Sequence, residues 1–269
     1  MLSWAHIGDL HVADDDNWKS VEHLATIVDI INEQLADSID FVFLPGDNAN
    51  HGESEQYARI SRELKRLHVP YRCIPGDHDF EPGDLHAYGG LDNSACPFAW
   101  RICDRRCLFL DIASPGRGGP DFRLGPDQLA WLQRELDASA VDKQSPVVFM
   151  HAYPGDLAEG SHELADMLAR AKVAFVDTGH THYNELLNDG QVIYAATRST
   201  GQIEEDDGQP GFSIVQLDGN VASWRFQRLW LGALRREGLN VSFWQFLKVG
   251  AVTMPPALAL AMGVRLMMN

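Results

Sequence analysis

Five short segments of this 269-residue chain end in side chains that can bind metal. They are Gly8-Asp9-Leu10-His11, Gly46-Asp47, Gly76-Asp77-His78-Asp79, Met150-His151 and Gly179-His180-Thr181-His182. Each lies where an apolar, strand-like run gives way to a loop. Together they offer three or four carboxylates and four or five imidazoles, enough to hold two divalent cations side by side. Two such cations roughly 3.5–4 Å apart can share a hydroxide, orient a phosphoester and neutralise charge as it builds on phosphorus. The chemistry indicated is phosphoester hydrolysis. Taken singly, an Asp-x-His or a Gly-Asp is more often a turn or a helix cap. Their joint occurrence at five strand ends reverses that reading.

The elements that must position these residues alternate along the first two thirds of the chain. Trp4-Ala5-His6-Ile7 is a buried strand ahead of Asp9. Val21, Leu24, Ile27, Val28, Ile31 and Leu35 recur at helical spacing between Trp18 and Ala36, as for a helix lying on a sheet. Strands follow over 40–44 and 69–74, with a helix over 55–67 between them. Both strands stop at Pro-Gly-Asp, at Pro45-Gly46-Asp47 and Pro75-Gly76-Asp77, and glycine allows the sharp turn. In an α/β sheet, ligands bind beyond the carboxyl ends of the strands, so both aspartates face one site. Further on, the pattern predicts strands over 100–103 and 107–110, a helix over 126–136 and a strand over 146–150. A helix over 164–171 and a strand over 173–176 come next. After His182, Asn188-Asp189-Gly190 and Asp218-Gly219-Asn220 signal hairpins, so an antiparallel arrangement is expected there.

Composition narrows the partners. With 22 Lys and Arg against 38 Asp and Glu, the formal net charge is −16. This disfavours polymeric nucleic acid and anionic membranes. Cys73, Cys96, Cys103 and Cys107 show no paired spacing and read as reduced thiols. No charged, apolar and cleavage regions precede Asp9, so a cytoplasmic location is expected. The apolar tail is broken by Lys248, Pro255-Pro256 and Arg265, short of the roughly 18–20 apolar residues a spanning helix needs. The expected organisation is one domain over 1–228 and a tail over 229–269 that packs on the body or on a partner subunit, leaving room for a homodimer.

The ordered set DxH, GD, GxHD, H and GHxH, from Asp9 to His182, resembles the calcineurin-like metallophosphoesterases. Leu124-Gly125-Pro126-Asp127-Gln128-Leu129-Ala130-Trp131-Leu132 and Thr197-Arg198-Ser199-Thr200-Gly201-Gln202 are similar to the class III cyclic-nucleotide phosphodiesterases and related glycerophosphodiesterases. The resemblance implies a four-layer αββα sandwich of two mixed sheets flanked by helices. It also implies one metal on Asp9, His11 and His182, a second on residue 77, His151 and His180, and Asp47 bridging both. Mixed oxygen and imidazole ligation suits Mn²⁺, Fe²⁺ or Zn²⁺ better than Ca²⁺ or Mg²⁺. His78 would bind substrate and donate a proton near the leaving-group oxygen, with Asp79 orienting its ring. The other histidines, His6, His23, His51, His68, His86 and His162, read as structural or surface residues, and His51 and His86, in loops after metal-binding segments, are the best placed of them to line a substrate pocket.

The family pattern has Asn where this chain has Asp77. An amide can donate from its NH₂ group while binding metal through oxygen, whereas an ionised carboxylate only accepts. Two divalent ions, Asp9, Asp47 and a hydroxide leave one net positive charge with Asn, and none with Asp77. Attraction for an anionic substrate should weaken and metal affinity should rise. The sequence thus supports hydrolysis of small phosphodiesters by a metal-bridging hydroxide, with cyclic nucleotides first and glycerophosphodiesters second. Phosphomonoester hydrolysis at the same site is the alternative. A non-catalytic interaction module would be expected to lack ligands, and a nuclease to carry a basic stripe; neither is seen.

Overall fold

A computed structural model of the chain describes residues 1–14, 17–91, 95–113, 121–202 and 210–229. Residues 1–228 form one compact unit. The expected packing of the tail, and with it the homodimer, lies outside the described residues. Among the described residues, no helix is long and apolar enough to cross a membrane.

The first sheet is built around β1 (Leu2–His6), which pairs in parallel with β2 (Phe41–Leu44), itself parallel to β3 (Tyr71–Cys73). The second sheet begins with the hairpin of β4 (Phe98–Ile102) and β5 (Arg105–Phe109), then β6 (Val147–Phe149) and β7 (Phe175–Thr178) in parallel. β8 (Glu185–Asn188) and β9 (Ile193–Ala196) complete this sheet, and β10 (Gly211–Asp218) and β11 (Val221–Arg228) extend the first. The orders are β11-β10-β1-β2-β3 and β4-β5-β6-β7-β9-β8. Both sheets are mixed, as expected. The antiparallel expectation after His182 holds for the two hairpins, but β9 runs parallel to β7. The reason is burial. Tyr194, Ala195 and Ala196 are buried in β9, whereas most of β8 is exposed, so β9 takes the inner position.

Side chains alternate across each strand, and in the central strands β1, β2, β6 and β7 both faces are buried. In β5 and β6, Cys107, Phe109, Val147 and Phe149 enter the layer between the sheets, where Trp4, Phe41, Phe43 and Phe175 meet them. Phe109 and Phe149 stack with ring centroids 4.5 Å apart. Leu108, Leu110, Val148 and Met150 face outward against α3 (Pro126–Ser139) and α4 (Ser161–Arg170). On the other sheet, α1 (Lys19–Ile30), prolonged by a π turn over Ile31–Leu35, packs on α2 (Ser54–Leu64) and β10.

One polar link crosses this apolar layer. The indole N–H of Trp4 donates to Asp177 Oδ2 at 2.6 Å, and His6 Nδ1 lies 2.7 Å from Asp177 Oδ1. All three residues are fully buried. His6 and Asp177 each stand three residues before a metal-binding candidate, Asp9 and His180, so the link ties together the strands that deliver them. Replacing Asp177 by Leu leaves two buried ring nitrogens without a partner, at about 1–3 kcal/mol each. Urea unfolding is expected to show a loss of at least about 2 kcal/mol; an unchanged midpoint would mean that the link contributes nothing.

Candidate metal centre

The chain leaves β1 into Asp9 and His11, β2 into Asp47, β3 into Asp77, β6 into His151 and β7 into His180 and His182. All are carboxyl ends, three in one sheet and two in the other, so the crevice is shared between the sheets. His11, Asp47, His180 and His182 have φ of 42°, 48°, 67° and 61°. Left-handed backbone is uncommon for residues with a side chain and marks positions held by their surroundings. The glycines serve close approach. A Cβ on Gly46, whose φ is +118°, would sit 2.5 Å from His151 Nδ1, and one on Gly179 would collide with Asp9 Oδ1.

Two donor sets result, Asp9 with His11, Asp47 and His182, and Asp47 with Asp77, His151 and His180; within each, the ligand atoms lie within 4.8 Å of one another. Asp47 belongs to both. Its Oδ2 is 3.6 Å from His11 Nε2 and 3.5 Å from His151 Nε2. Asp77 Oδ1 lies 3.1 Å from His151 Nε2 and 3.7 Å from His180 Nδ1, and its side chain makes no cap hydrogen bond to the turn that follows. The carboxylate that departs from the family pattern therefore faces the cluster.

The donor set fits divalent ions on its own chemistry. Asp9 Oδ1 is buried with no hydrogen-bond partner, while Oδ2 accepts from the His180 N–H at 2.7 Å. His11 Nε2 and His182 Nε2 face each other at 2.9 Å, where at most one proton fits between them. Burial raises the Asp9 pKa to about 6 and lowers that of His11 to about 3. Burial would also lower His151, but the Asp47 carboxylate overrides it and holds the ring well above the usual histidine range.

Surrounding groups set the ring orientations. His151 Nδ1 donates to the Pro45 carbonyl at 2.9 Å, and His11 Nδ1 to Asn50 Oδ1 at 3.0 Å. His78 donates from its backbone N–H to Asp47 Oδ1 at 3.0 Å and from Nδ1 to the Asn50 carbonyl at 2.9 Å. Its pKa is raised, because Asp47 and that carbonyl outweigh the effect of burial. The expectation that Asp79 orients the His78 ring is not met. Asp79 is buried and accepts from the backbone N–H groups of Asn48, Ala49 and Gly76, the Asn48 amide and the Tyr57 hydroxyl. It pins the loop after β2 to the loop after β3, and its two oxygens have no capacity left for an imidazole. Glu81, 3.2 Å from His78 Nδ1, stands nearer the ring.

Neither Asn50 nor Glu81 carries a motif that would signal it. The segment after β9 holds the first loop, since Ser199 Oγ and the N–H groups of Thr200 and Gly201 all donate to the Asp9 carbonyl. His51 and His86 are both exposed, and His51 meets Glu81 at 2.9 Å beside the site.

A model of the calcineurin-like phosphoesterases matches residues 2–184. The chain belongs to that family. It is a hydrolytic phosphoesterase of a metal-dependent family, and the two clusters are where it can hold ions. A Fibrobacter succinogenes protein named "Probable cyclic nucleotide phosphodiesterase" is 24% identical over 247 residues, 84% of this chain and 88% of that protein. The 3',5'-cyclic adenosine monophosphate phosphodiesterase CpdA of Haemophilus influenzae is 27% identical over 245 residues, 82% of this chain and 88% of its own. The purple acid phosphatase of yellow lupin shares the fold at a TM-score of 0.64 and 13% identity, covering 85% of this chain and 51% of that one.

Ion binding requires Asp9 ionised and His151 neutral, and both hold protons more tightly than usual in the metal-free site. Acid therefore competes with metal. Mn²⁺ titrations are expected to show proton release at neutral pH and binding at least about tenfold weaker at pH 5 than at pH 7. An affinity independent of pH would contradict this electrostatic picture.

Proposed function

We propose that this phosphoesterase hydrolyses small phosphodiesters at a pair of divalent cations, with Asp47 shared between them. Cyclic nucleotides are the first substrate class and glycerophosphodiesters the second, Mn²⁺ or Fe²⁺ the preferred ions with Zn²⁺ also suited, and the cytoplasm the place of action. The observation that carries the reading is the sharing of Asp47 by two donor sets whose atoms lie within 4.8 Å of one another. Ions bound there would supply the positive charge that polarises a phosphoryl group and makes water nucleophilic near neutral pH. The names of the relatives point to the same substrate class.

The chain's own residues account for the rest. His78 is about a third exposed beside the shared carboxylate, with Nδ1 taken by the Asn50 carbonyl, which leaves Nε2 to meet the leaving-group oxygen. Asp47 and the Asn50 carbonyl raise its pKa against the effect of burial, which favours the protonated ring that such a donor needs. Asp77 adds a negative charge where the family has an amide. Its repulsion is greater for a dianionic monoester than for a monoanionic diester, which favours the diester.

The assay that separates the choices compares bis(p-nitrophenyl) phosphate with p-nitrophenyl phosphate in Mn²⁺. Faster diester turnover is expected, and a strong monoester preference would reject the diesterase reading. For Asp77→Asn, weaker Mn²⁺ binding at one of two sites and altered turnover are expected. If both stay at the wild-type values, Asp77 is not a ligand.

A further inference from the structure

Two histidines of different expected roles, the ligand His11 and the proton donor His78, send their Nδ1 hydrogens to the same residue. His11 donates to the side-chain oxygen of Asn50 at 3.0 Å and His78 to its backbone carbonyl at 2.9 Å. The two rings meet edge to face with centroids 4.7 Å apart. Asn50 is itself fixed on every side. Its N–H donates to the Val12 carbonyl at 3.0 Å, next to His11 in sequence, and its Nδ2 lies 3.1 Å from His51 Nε2. Gln202, from the segment that wraps the Asp9 loop, donates to Asn50 Oδ1 at 3.4 Å.

We infer that Asn50 is a positioning residue that sets the tautomer of His11, holding its proton on Nδ1 and leaving Nε2 for an ion, and that its backbone carbonyl fixes the ring of His78 so that Nε2 is left for the reacting centre. A carbonyl oxygen, whether peptide or amide, can only accept a hydrogen bond. An imidazole facing one must therefore carry its proton on that nitrogen. If neutral, it then has its lone pair on the other, as metal binding requires of His11. Outer partners of this kind fix ring orientation, and their loss typically weakens metal binding about 10–100-fold. The two contacts differ in origin. Truncating the side chain removes the acceptor for His11 and leaves the peptide carbonyl for His78, so the side-chain effect falls on one donor set. The inference rests on the reading of the clusters as ion sites.

The test is Mn²⁺ titration of the metal-free protein, read by calorimetry, in the wild type, Asn50→Ala and Asn50→Asp, with thermal unfolding alongside. The wild type should take up two ions. In Asn50→Ala one binding step should weaken about 10–100-fold while the other stays put, and Asn50→Asp, which keeps an oxygen facing His11, should restore it to within a few-fold. Equal weakening of both steps, no weakening, or no rescue by Asp would overturn the role. Failure of the wild type to bind any Mn²⁺ would instead overturn the ion sites themselves. Should Asn50→Ala not fold, ¹⁵N spectra of the histidine side chains in the metal-free wild type still decide. His11 is expected with its proton on Nδ1, and a proton on Nε2 would refute the assignment.

Discussion

The shared carboxylate of Asp47 is the constraint around which the rest is arranged. To stand between two donor sets it must leave the end of β2 in a left-handed turn, with φ of 48° directly after Gly46 at +118°. Neither angle suits an ordinary residue in isolation. The turn persists because both sides of it are held. Asp79, from the next strand end, takes the N–H groups of Asn48 and Ala49. The His11 N–H donates to the Asp47 carbonyl at 2.8 Å, and the His78 N–H donates to the carboxylate itself. Two neighbouring strand exits, those of β1 and β3, therefore hold the turn that carries this side chain. A shift in either of them would move the one donor that belongs to both clusters.

Burial then gives this arrangement its electrostatic character. Carboxylates and imidazoles taken out of water and left without counter-charge are costly, and such groups neutralise by exchanging protons unless a cation is present. The shifts run that way here, with burial raising the Asp9 pKa to about 6 and the Asp47 carboxylate raising that of His151. The same forces that make the metal-free site unfavourable give an incoming ion its affinity. The aromatic layer between the sheets supports this indirectly, because Trp4 and His6 bind Asp177 and so keep the two groups of strand ends in register across an otherwise apolar contact.

Much of this is legible in the sequence, for physical reasons. Pro-Gly after an apolar run ends a strand, so the residue pattern alone puts Asp47 and Asp77 at strand exits. The spacing in Asp9-x-His11 and His180-x-His182 survives any small error in strand boundaries. What escapes is whatever depends on which partner a polar group finds. Asp79 follows His78 in sequence and so resembles its orienting carboxylate, yet the backbone N–H groups of the neighbouring loop, invisible in a string of side chains, claim it first. Asn50 has no motif at all, and its importance comes from a carbonyl and an amide that happen to face two rings. The order of β8 and β9 escapes because hairpin signals fix which strands pair, whereas burial decides which of the two joins the sheet.

Asp77 shows how the two kinds of information combine. The sequence marks it as a departure, and charge counting alone says that the site should hold metal more firmly and anions less firmly. The geometry adds that its carboxylate faces His151 and His180 while remaining about a quarter exposed. Partial exposure means that water screens part of its charge, so the loss of attraction for substrate is smaller than the formal count implies. Direct contact with two imidazoles means that its effect on an ion there is not screened in the same way. On the proposed reading of the clusters, the substitution acts more on metal retention than on substrate capture, and it leaves intact the part of the site built by Asp9, His11 and His182.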